Sequence, residues 1–114
     1  MRIFVLGAGA SGSYLAQLLA RQGHQVTCGD RDPERARRFL GKKSLLTVVQ
    51  ANARNVRSVV RAARGCHLLV NASPAKFNES ALRAALRLRA HYLDLSAHMV
   101  RNPFKAEQLA YARR

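Results

Sequence analysis

The sequence predicts an α/β fold, a three-layer sandwich in which helices cover both faces of a parallel sheet. Two patterns lead to this prediction. Short apolar runs alternate with helical patterns along the chain, as in a series of βα units. These runs are apolar almost throughout, which is typical of parallel strands that are buried on both faces. The length of 114 residues, with 48% hydrophobic and 23% charged residues, fits one globular domain over residues 1–114.

The N-terminal half of the chain is predicted to contain three strands and two helices. Asp32 and Pro33 are typical of a helix start, because aspartate caps free N–H groups and proline fits the first turn. Gly23 and Gly41 mark the two helix ends. The face of the first helix that is predicted to be apolar carries Tyr14, Leu15, Leu18 and Leu19. The predicted elements are a strand at 3–6, a helix at 11–22, a strand at 25–28, a helix at 32–40 and a strand at 45–49.

The C-terminal half is predicted to continue the same alternation. Asn52 is expected to cap a helix with valines on one face and arginines on the other. The helix after the Asn71-Ala72-Ser73-Pro74 loop is expected to direct Leu82, Ala85 and Leu86 inward. The predicted elements are a helix from Asn52 to Gly65, a strand at 67–70, a helix through 82–87, a strand at 92–95 and a last helix that Asn102-Pro103 opens.

A glycine motif, G-x-G-x-x-G, joins the first predicted strand to the first predicted helix. This is the context in which the motif binds dinucleotides. Gly7 allows the tight turn, Gly9 lets the backbone approach a pyrophosphate, and Gly12 lets the helix pack closely on the strand. The helix N-terminus, with Ala10 and Ser11, offers N–H groups and a partial positive charge to phosphates. The alternative is a glycine-rich turn that binds nothing.

An acidic and a basic residue follow the second predicted strand. Asp30 lies where a carboxylate accepts hydrogen bonds from the adenosine ribose hydroxyls. Arg31 could stack on the adenine or pair with a 2′-phosphate. Asp30 disfavours that phosphate, whereas Arg31 and the arginines that follow it favour the phosphate. The expected cofactor is therefore NAD or NADP, with a preference for NAD.

The C-terminal half also carries a more specific pattern. Asn71-Ala72-Ser73-Pro74, Phe77-Asn78, the helix at 81–86 and His91-Tyr92-Leu93-Asp94-Leu95 resemble the saccharopine dehydrogenase family. The resemblance covers nearly the whole chain, but only the N-terminal cofactor-binding part of such enzymes. It implies that Asn71, Ala72, Ser73 and Pro74 line the cofactor cleft, with Asp94 near the same edge. Family members often have an aspartate just after the third strand, where this chain has Gln50-Ala51-Asn52.

The resemblance implies a Rossmann-type sheet in the order 3-2-1-4-5 and a cofactor domain of an NAD(P)-dependent oxidoreductase. Such an enzyme transfers a hydride between the cofactor and an amino-acid-derived substrate. A substrate-binding domain and catalytic residues are not recognised in the 114 residues, so the chain alone is expected to bind cofactor and to turn over little. In this strand order Cys28 and Cys66 lie too far apart for a disulfide, and two free thiols are expected.

The net charge of +14 predicts contact with an anion. Arg54, Arg57, Arg61 and Arg64 are expected on an outer helix face, without interleaved aromatic residues to stack bases. Nucleic-acid binding is therefore the less favoured alternative, and an acidic surface on a missing domain or partner is another. A regulatory module that senses NAD(H) would share the glycine motif and Asp30. No metal site, catalytic residue or membrane span is predicted, and the expected location is the cytoplasm.

Overall fold

A computed structural model describes residues 1–41 and 46–95. The predicted last helix, from Asn102 onward, and the predicted first residue of the third strand, Leu45, lie outside these ranges. The elements are β1 (Arg2–Leu6), α1 (Ala10–Arg21), β2 (Gln25–Asp30), α2 (Pro33–Leu40), β3 (Leu46–Gln50), α3 (Val56–Ala62), β4 (Leu68–Asn71), a single 3₁₀ turn (Ala75–Phe77), α4 (Asn78–Leu88) and β5 (His91–Asp94).

The five strands form one parallel sheet in the order β3-β2-β1-β4-β5, which confirms the predicted fold class and strand order. Val5 of β1 is in register with Cys28 on β2 and with Val70 on β4. The chain order reverses between β1 and β4, so the crevice that binds ligands in such sheets is expected beside the carboxyl end of β1. Cys28 and Cys66 are both free, as expected from this order.

Helices cover both faces of the sheet, and β1 shows how the sequence supports this. Ile3 and Val5 pack with α1 and α2, whereas Phe4 and Leu6 pack with α3 and α4. All four side chains are at most 3% exposed, which explains why β1 is apolar at every position from Ile3 to Leu6. Burial of each such side chain stabilises the fold by about 1.5–3 kcal/mol.

The inner faces of two helices agree with the prediction only in part, since Leu15 and Leu19 of α1 and Ala85 of α4 do pack inward. On α1, Tyr14 is 68% exposed, and the buried residues are the small Gly12, Ser13 and Ala16. On α4 the buried apolar residues are Ala81, Ala84 and Ala85, whereas Leu82 and Leu86 are only half-buried. The helices lie close to the sheet or to each other, so small residues fill the line of closest approach and leucines lie beside it.

The start of α3 also differs from the prediction. Asn55, not Asn52, is the N-cap, and its side chain accepts a hydrogen bond from the Ser58 N–H at 3.2 Å. Asn52 instead turns the chain after β3, because its Oδ1 accepts a hydrogen bond from the Arg54 N–H at 3.0 Å. The loop between β3 and α3 is therefore longer than expected, and it brings Asn52 and Arg54 to the carboxyl edge of the sheet.

Candidate functional site

A groove of about 420 Å³ runs along the carboxyl edge of the sheet. It brings together residues that follow β1, β2, β3 and β4. The predicted site residues that line it are Gly7, Gly9, Asp30, Arg31, Ala72, Ser73 and Pro74. The remaining predicted site residues, Ala10, Ser11, Gly12 and Asn71, do not line it. Ala10 and Ser11 are exposed in the first turn of α1, whereas Gly12 and Asn71 are buried behind the groove.

The glycines of the motif have different structural roles. Gly7 has a φ of +97°, and a Cβ there would lie 2.9 Å from the Ser73 nitrogen. A Cβ on Gly12 would lie 2.0 Å from the Gly7 carbonyl oxygen, so α1 packs on the loop only with glycine at this position. A Cβ on Gly9 would meet nothing within 4 Å. Gly9 is therefore the residue at which the backbone of the loop is open to the groove.

Helix α1 begins at the same groove, because its N-cap residue lines the groove. Gly9 is the N-cap residue, no side chain caps the helix there, and the first turn carries no acidic residue. The Ser13 hydroxyl directs its one hydrogen toward the carbonyl oxygens of Ala8, at 3.1 Å, and Gly9. It does not cap the helix start. The N–H groups of the first turn and the helix dipole favour a bound anion beside Gly9.

Asp30 connects the glycine loop to the end of β2. Its side chain is buried, with the residue only 8% exposed. Oδ2 accepts a hydrogen bond from the Ala8 N–H at 2.8 Å, and Oδ1 accepts one from the Asp32 N–H at 2.9 Å. Arg35 Nη2 lies 4.0 Å from Oδ2. Each carboxylate oxygen retains a second lone pair that could accept a hydroxyl donor from the groove.

Basic residues line the groove together with Asp30. Arg31, Arg35 and Arg54 line it together with two carboxylates, those of Asp30 and Asp32. All three arginines are exposed. The Arg54 guanidinium lies over the Phe77 ring, 5.8 Å from its centroid, within the range of a cation–π contact. The groove therefore carries more positive than negative side chains.

The groove also contains residues that were not predicted as site residues: Arg54, Phe77 and the Ala51-Asn52-Ala53 turn. Arg35 was predicted only as one of the arginines after Arg31 that favour a 2′-phosphate. The predicted strand order indicates that this turn lies at the site, because the residues that follow β3 must lie at the same edge of a parallel sheet as those that follow β1 and β2. Family members often have an aspartate after β3, and this chain has none there; Arg54 reaches the groove from this loop.

On the β4 side of the groove, two buried asparagines hold the Ala72-Ser73-Pro74 loop. Asn71 is the last residue of β4 and not part of the loop, in contrast to the prediction. Its Nδ2 donates to Oδ1 of Asn78 at 2.7 Å, and its Oδ1 accepts a hydrogen bond from the Ser73 N–H at 3.1 Å. The Ser73 hydroxyl donates to the same Oδ1. Asn71 is 1% exposed and Asn78 is 4% exposed.

Tyr92 and Asp94 extend this polar region toward β5. The Tyr92 hydroxyl donates to the Asn78 carbonyl oxygen at 3.3 Å. Burial, and secondarily the charge of Asp94 and a hydrogen bond to it, raise the pKa of the Tyr92 phenol far above its ordinary value, so the hydroxyl stays protonated. Asp94 is in register with Asn71 but does not line the groove. Within the described ranges, no cluster of histidine, cysteine and acidic side chains could hold a metal ion, and no helix is long and apolar enough to cross a membrane.

A parallel sheet in this order, with an open glycine loop at a helix N-terminus and a carboxylate at the end of β2, defines a dinucleotide-binding α/β domain. The comparisons with known proteins identify which one. Residues 3–114 match the family described as the saccharopine dehydrogenase NADP binding domain. The chain belongs to this family and is an NAD(P)-binding domain of the kind found in dehydrogenases and reductases, which confirms the resemblance noted in the sequence.

Solved structures show the same fold at low sequence identity. Apo saccharopine dehydrogenase (L-Glu forming) from Saccharomyces cerevisiae matches 95% of this chain with a TM-score of 0.74 and 14% identity. A short-chain dehydrogenase/reductase from Veillonella parvula in complex with NADP matches 82% of it with a TM-score of 0.67 and 18% identity. An NADPH-dependent quinone oxidoreductase from Escherichia coli matches 77% of it with a TM-score of 0.63 and 25% identity. The chain spans 23% of the yeast enzyme, 46% of the Veillonella protein and 32% of the quinone oxidoreductase.

Proposed function

We propose that this chain holds NADP(H) for hydride transfer to an amino-acid-derived substrate, within a longer oxidoreductase that supplies the substrate-binding residues. The observation that carries the proposal is the open backbone at Gly9, which lies in one groove with the buried Asp30. Few ligands need both a helix N-terminus for phosphate and a carboxylate for ribose hydroxyls within one extended site. The bound cofactor supplies the hydride, and the chain supplies binding and orientation.

Each part of the groove fits one part of the dinucleotide. Gly9, the N-cap of α1, lines the groove and fits the pyrophosphate, because the N–H groups and the dipole of the helix start favour an anion. Ala10 and Ser11 belong to the same first turn but lie outside the groove. Asp30 fits the adenosine ribose, because both its oxygens retain an accepting lone pair. Consequently the adenosine half belongs on the β2 side of the glycine loop and the nicotinamide half on the β4 side, beside Ser73.

The choice of NADP over NAD rests on the charges around Asp30. The sequence-based preference for NAD assumed that Asp30 repels a 2′-phosphate. In the groove, however, both Asp30 oxygens accept backbone hydrogen bonds, and the exposed guanidiniums of Arg31 and Arg35 line the groove on the same β2 side. Guanidinium groups bind phosphate in a bidentate manner, so this end of the groove favours the additional phosphate. The family description, an NADP binding domain, supports the same choice.

Calorimetric titration of the 114-residue chain with NADPH and NADH tests the proposal. NADPH is expected to bind more tightly than NADH. Gly9→Val should keep the fold, because Gly9 has a φ of −74° and its Cβ direction is empty. It should weaken NADPH binding by at least about tenfold, or about 1.4 kcal/mol, because the branched side chain occupies the path of the pyrophosphate. Thr47→Val, which places the same side chain on an exposed position of β3, is the matched control.

The result has clear consequences for each part of the proposal. Equal NADPH affinity in the wild type and in Gly9→Val would remove the glycine loop from the site. Tighter binding of NADH would restore the preference for NAD and leave the dinucleotide site in place. No specific feature of the described residues favours an NAD(H)-sensing or nucleic-acid-binding function over this one.

A further inference from the structure

The buried asparagines behind the groove have a polar arrangement that packing alone does not require. We infer that Asn71 and Asn78 are positioning residues that set the affinity for the nicotinamide half of the cofactor, by holding the Ala72–Ser73 peptide against the glycine loop. The inference rests on the proposed function. It adds to that function a pair of residues, at most 4% exposed, that do not line the groove themselves.

The hydrogen bonds determine how the Asn71 amide is oriented. The Ser73 N–H can only donate, so the Asn71 atom 3.1 Å from it must be the carbonyl oxygen. The opposite side of the amide is then the NH₂ group, which donates to Asn78 Oδ1 at 2.7 Å. Asn78 is the first residue of α4. A single side chain therefore connects a helix end to the loop after β4, with a different hydrogen-bonding group for each.

The loop that Asn71 holds is in direct contact with the glycine motif. The Ala72 N–H donates to the Leu6 carbonyl oxygen at 2.8 Å. A Cβ on Gly7 would lie 2.9 Å from the Ser73 nitrogen and 3.1 Å from the Ala72 carbonyl carbon. There is thus no spare space between this peptide and the start of the glycine loop. Any shift of the Ala72–Ser73 peptide must change the width of the groove at this point.

The effect is expected on one half of the cofactor only. Ser73 and Pro74 line the groove on the β4 side of the glycine loop, whereas Asp30 and Arg31 line it on the β2 side. Strand β1 separates these two sides. A displaced loop after β4 should therefore disturb a ligand that extends past the pyrophosphate toward the nicotinamide. A ligand that consists of the adenosine half alone should bind almost unchanged.

Two ligands and three variants test this. NADPH carries both halves of the cofactor, whereas 2′,5′-ADP carries only the adenosine half. Asn78→Leu removes the acceptor for Asn71, and Asn78→Asp retains an acceptor oxygen at the same position. Gly65→Ala is the control for general destabilisation, because its φ of +86° strains an alanine at the opposite edge of the sheet. Calorimetry gives both affinities for each protein, and thermal melting gives its stability.

Asn78→Leu is expected to weaken NADPH binding roughly tenfold, or about 1.4 kcal/mol, while the affinity for 2′,5′-ADP changes less than about twofold. Asn78→Asp should keep NADPH affinity within about threefold of the wild type. Gly65→Ala should lower the melting temperature and leave both affinities unchanged. If Asn78→Leu does not fold, Asn71→Asp replaces it, because it keeps the acceptor for Ser73 and loses the donor to Asn78.

The outcomes separate this inference from the proposed function. Equal losses for both ligands, or unchanged NADPH affinity, would overturn the positioning role while the wild-type affinities still support the cofactor site. A wild-type chain that binds neither ligand would overturn the proposed function and, with it, this inference. A loss in Asn78→Asp as large as in Asn78→Leu would show that the Asn71–Asn78 hydrogen bond is not what holds the loop.

Discussion

The carboxyl edge of the sheet, where the strands end, and the amino edge, where the strands begin, both depend on glycines, but for different physical reasons. At the carboxyl edge the lack of space requires glycine: an added Cβ would lie 2.0 Å from the nearest atom at Gly12 and 2.3 Å from it at Gly29, and at Gly7 a Cβ would lie 2.9 Å from the nearest atom in addition to the positive φ of +97°. At the amino edge, where helices return to the sheet, the backbone angle decides. The residues with positive φ after α1, α2, α3 and α4 are Gly23, Gly41, Gly65 and Arg89. A Cβ would meet nothing within 4 Å at any of these three glycines.

This difference indicates where the molecule is specialised. The carboxyl edge is packed so that backbone atoms lie close together and a groove remains beside them. At the amino edge, side chains make contacts that other side chains could replace, such as the hydrogen bond from Arg2 Nε to the Gly65 carbonyl oxygen at 2.8 Å. Substitutions at the carboxyl edge should therefore affect folding or binding strongly, and those at the amino edge should change stability in small steps.

Gly12→Val should give the largest effect. Its Cβ would lie 2.0 Å from the Gly7 carbonyl oxygen, which is a backbone atom and cannot rotate away. The loss of stability is expected to be at least about 3 kcal/mol, which is a large fraction of the stability of a small domain. Urea unfolding followed by circular dichroism measures it. Gly65→Ala at the amino edge should lose only about 1 kcal/mol; similar losses in the two variants would contradict the contrast between the edges.

The two thiols should differ in reactivity by a large factor. Cys28 lies inside β2, and burial, with a smaller effect of the nearby Asp30 charge, raises its pKa to about 12. Roughly one Cys28 side chain in ten thousand is then a thiolate at pH 8. Cys66, at the amino edge, is half-buried, and burial also raises its pKa above the ordinary value.

Labelling with a chromogenic disulfide measures this difference. One thiol, that of Cys66, is expected to react in the folded chain, and the second only after unfolding. Because the pKa of Cys66 is raised, its thiolate fraction is below the ordinary value at pH 8, and its rate should still increase as the pH rises past 9. Cys66→Ser should remove the reaction in the folded chain. If two thiols per folded chain react quickly at pH 8, the buried Cys28 must be reached by the reagent, which would show that β2 opens readily.

Asp30→Ala should give an intermediate effect on both stability and binding. It leaves the N–H groups of Ala8 and Asp32 without their acceptor, which should lower stability by about 2 kcal/mol. It should weaken NADH more than NADPH, because the ribose 2′-hydroxyl that Asp30 is expected to accept from is free in NADH and phosphorylated in NADPH. Glu34→Ala removes a carboxylate of α2 that is exposed and should leave the ratio of affinities unchanged. An unchanged ratio in Asp30→Ala would remove Asp30 from the ribose site.

The sequence was sufficient to predict features that depend on local pattern. The strands, the glycine motif and Asp30 at the end of β2 are readable because each has a characteristic neighbour in sequence. The inner face of α1 was predicted only in part: Leu15 and Leu19 pack against the core, but Tyr14 is exposed. Close packing buries the small residues Gly12, Ser13 and Ala16 instead. Asn52 and Asn55 are equally plausible caps by residue type, and only the hydrogen bond to the Ser58 N–H distinguishes Asn55. Arg54 and Phe77 meet across 23 residues of sequence, and no local pattern predicts that contact.

Arg89→Gly should have the smallest effect, and in the opposite direction. Arg89 follows α4 in the left-handed region, with a φ of 55° and a ψ of 35°. After α1 and α3 the chain has glycines, at φ values of 92° and 86°. A residue with a Cβ is strained in this region by roughly 1–2 kcal/mol, and the greater freedom of glycine in the unfolded chain offsets part of the gain. The net stabilisation should be about 0.5–1 kcal/mol, measured by urea unfolding, with cofactor affinity unchanged. Arg87→Gly, two residues earlier and inside α4, should instead destabilise by about 1 kcal/mol, because there the backbone is helical. A destabilised Arg89→Gly would mean that the Arg89 side chain contributes more at the amino edge than the backbone angle costs.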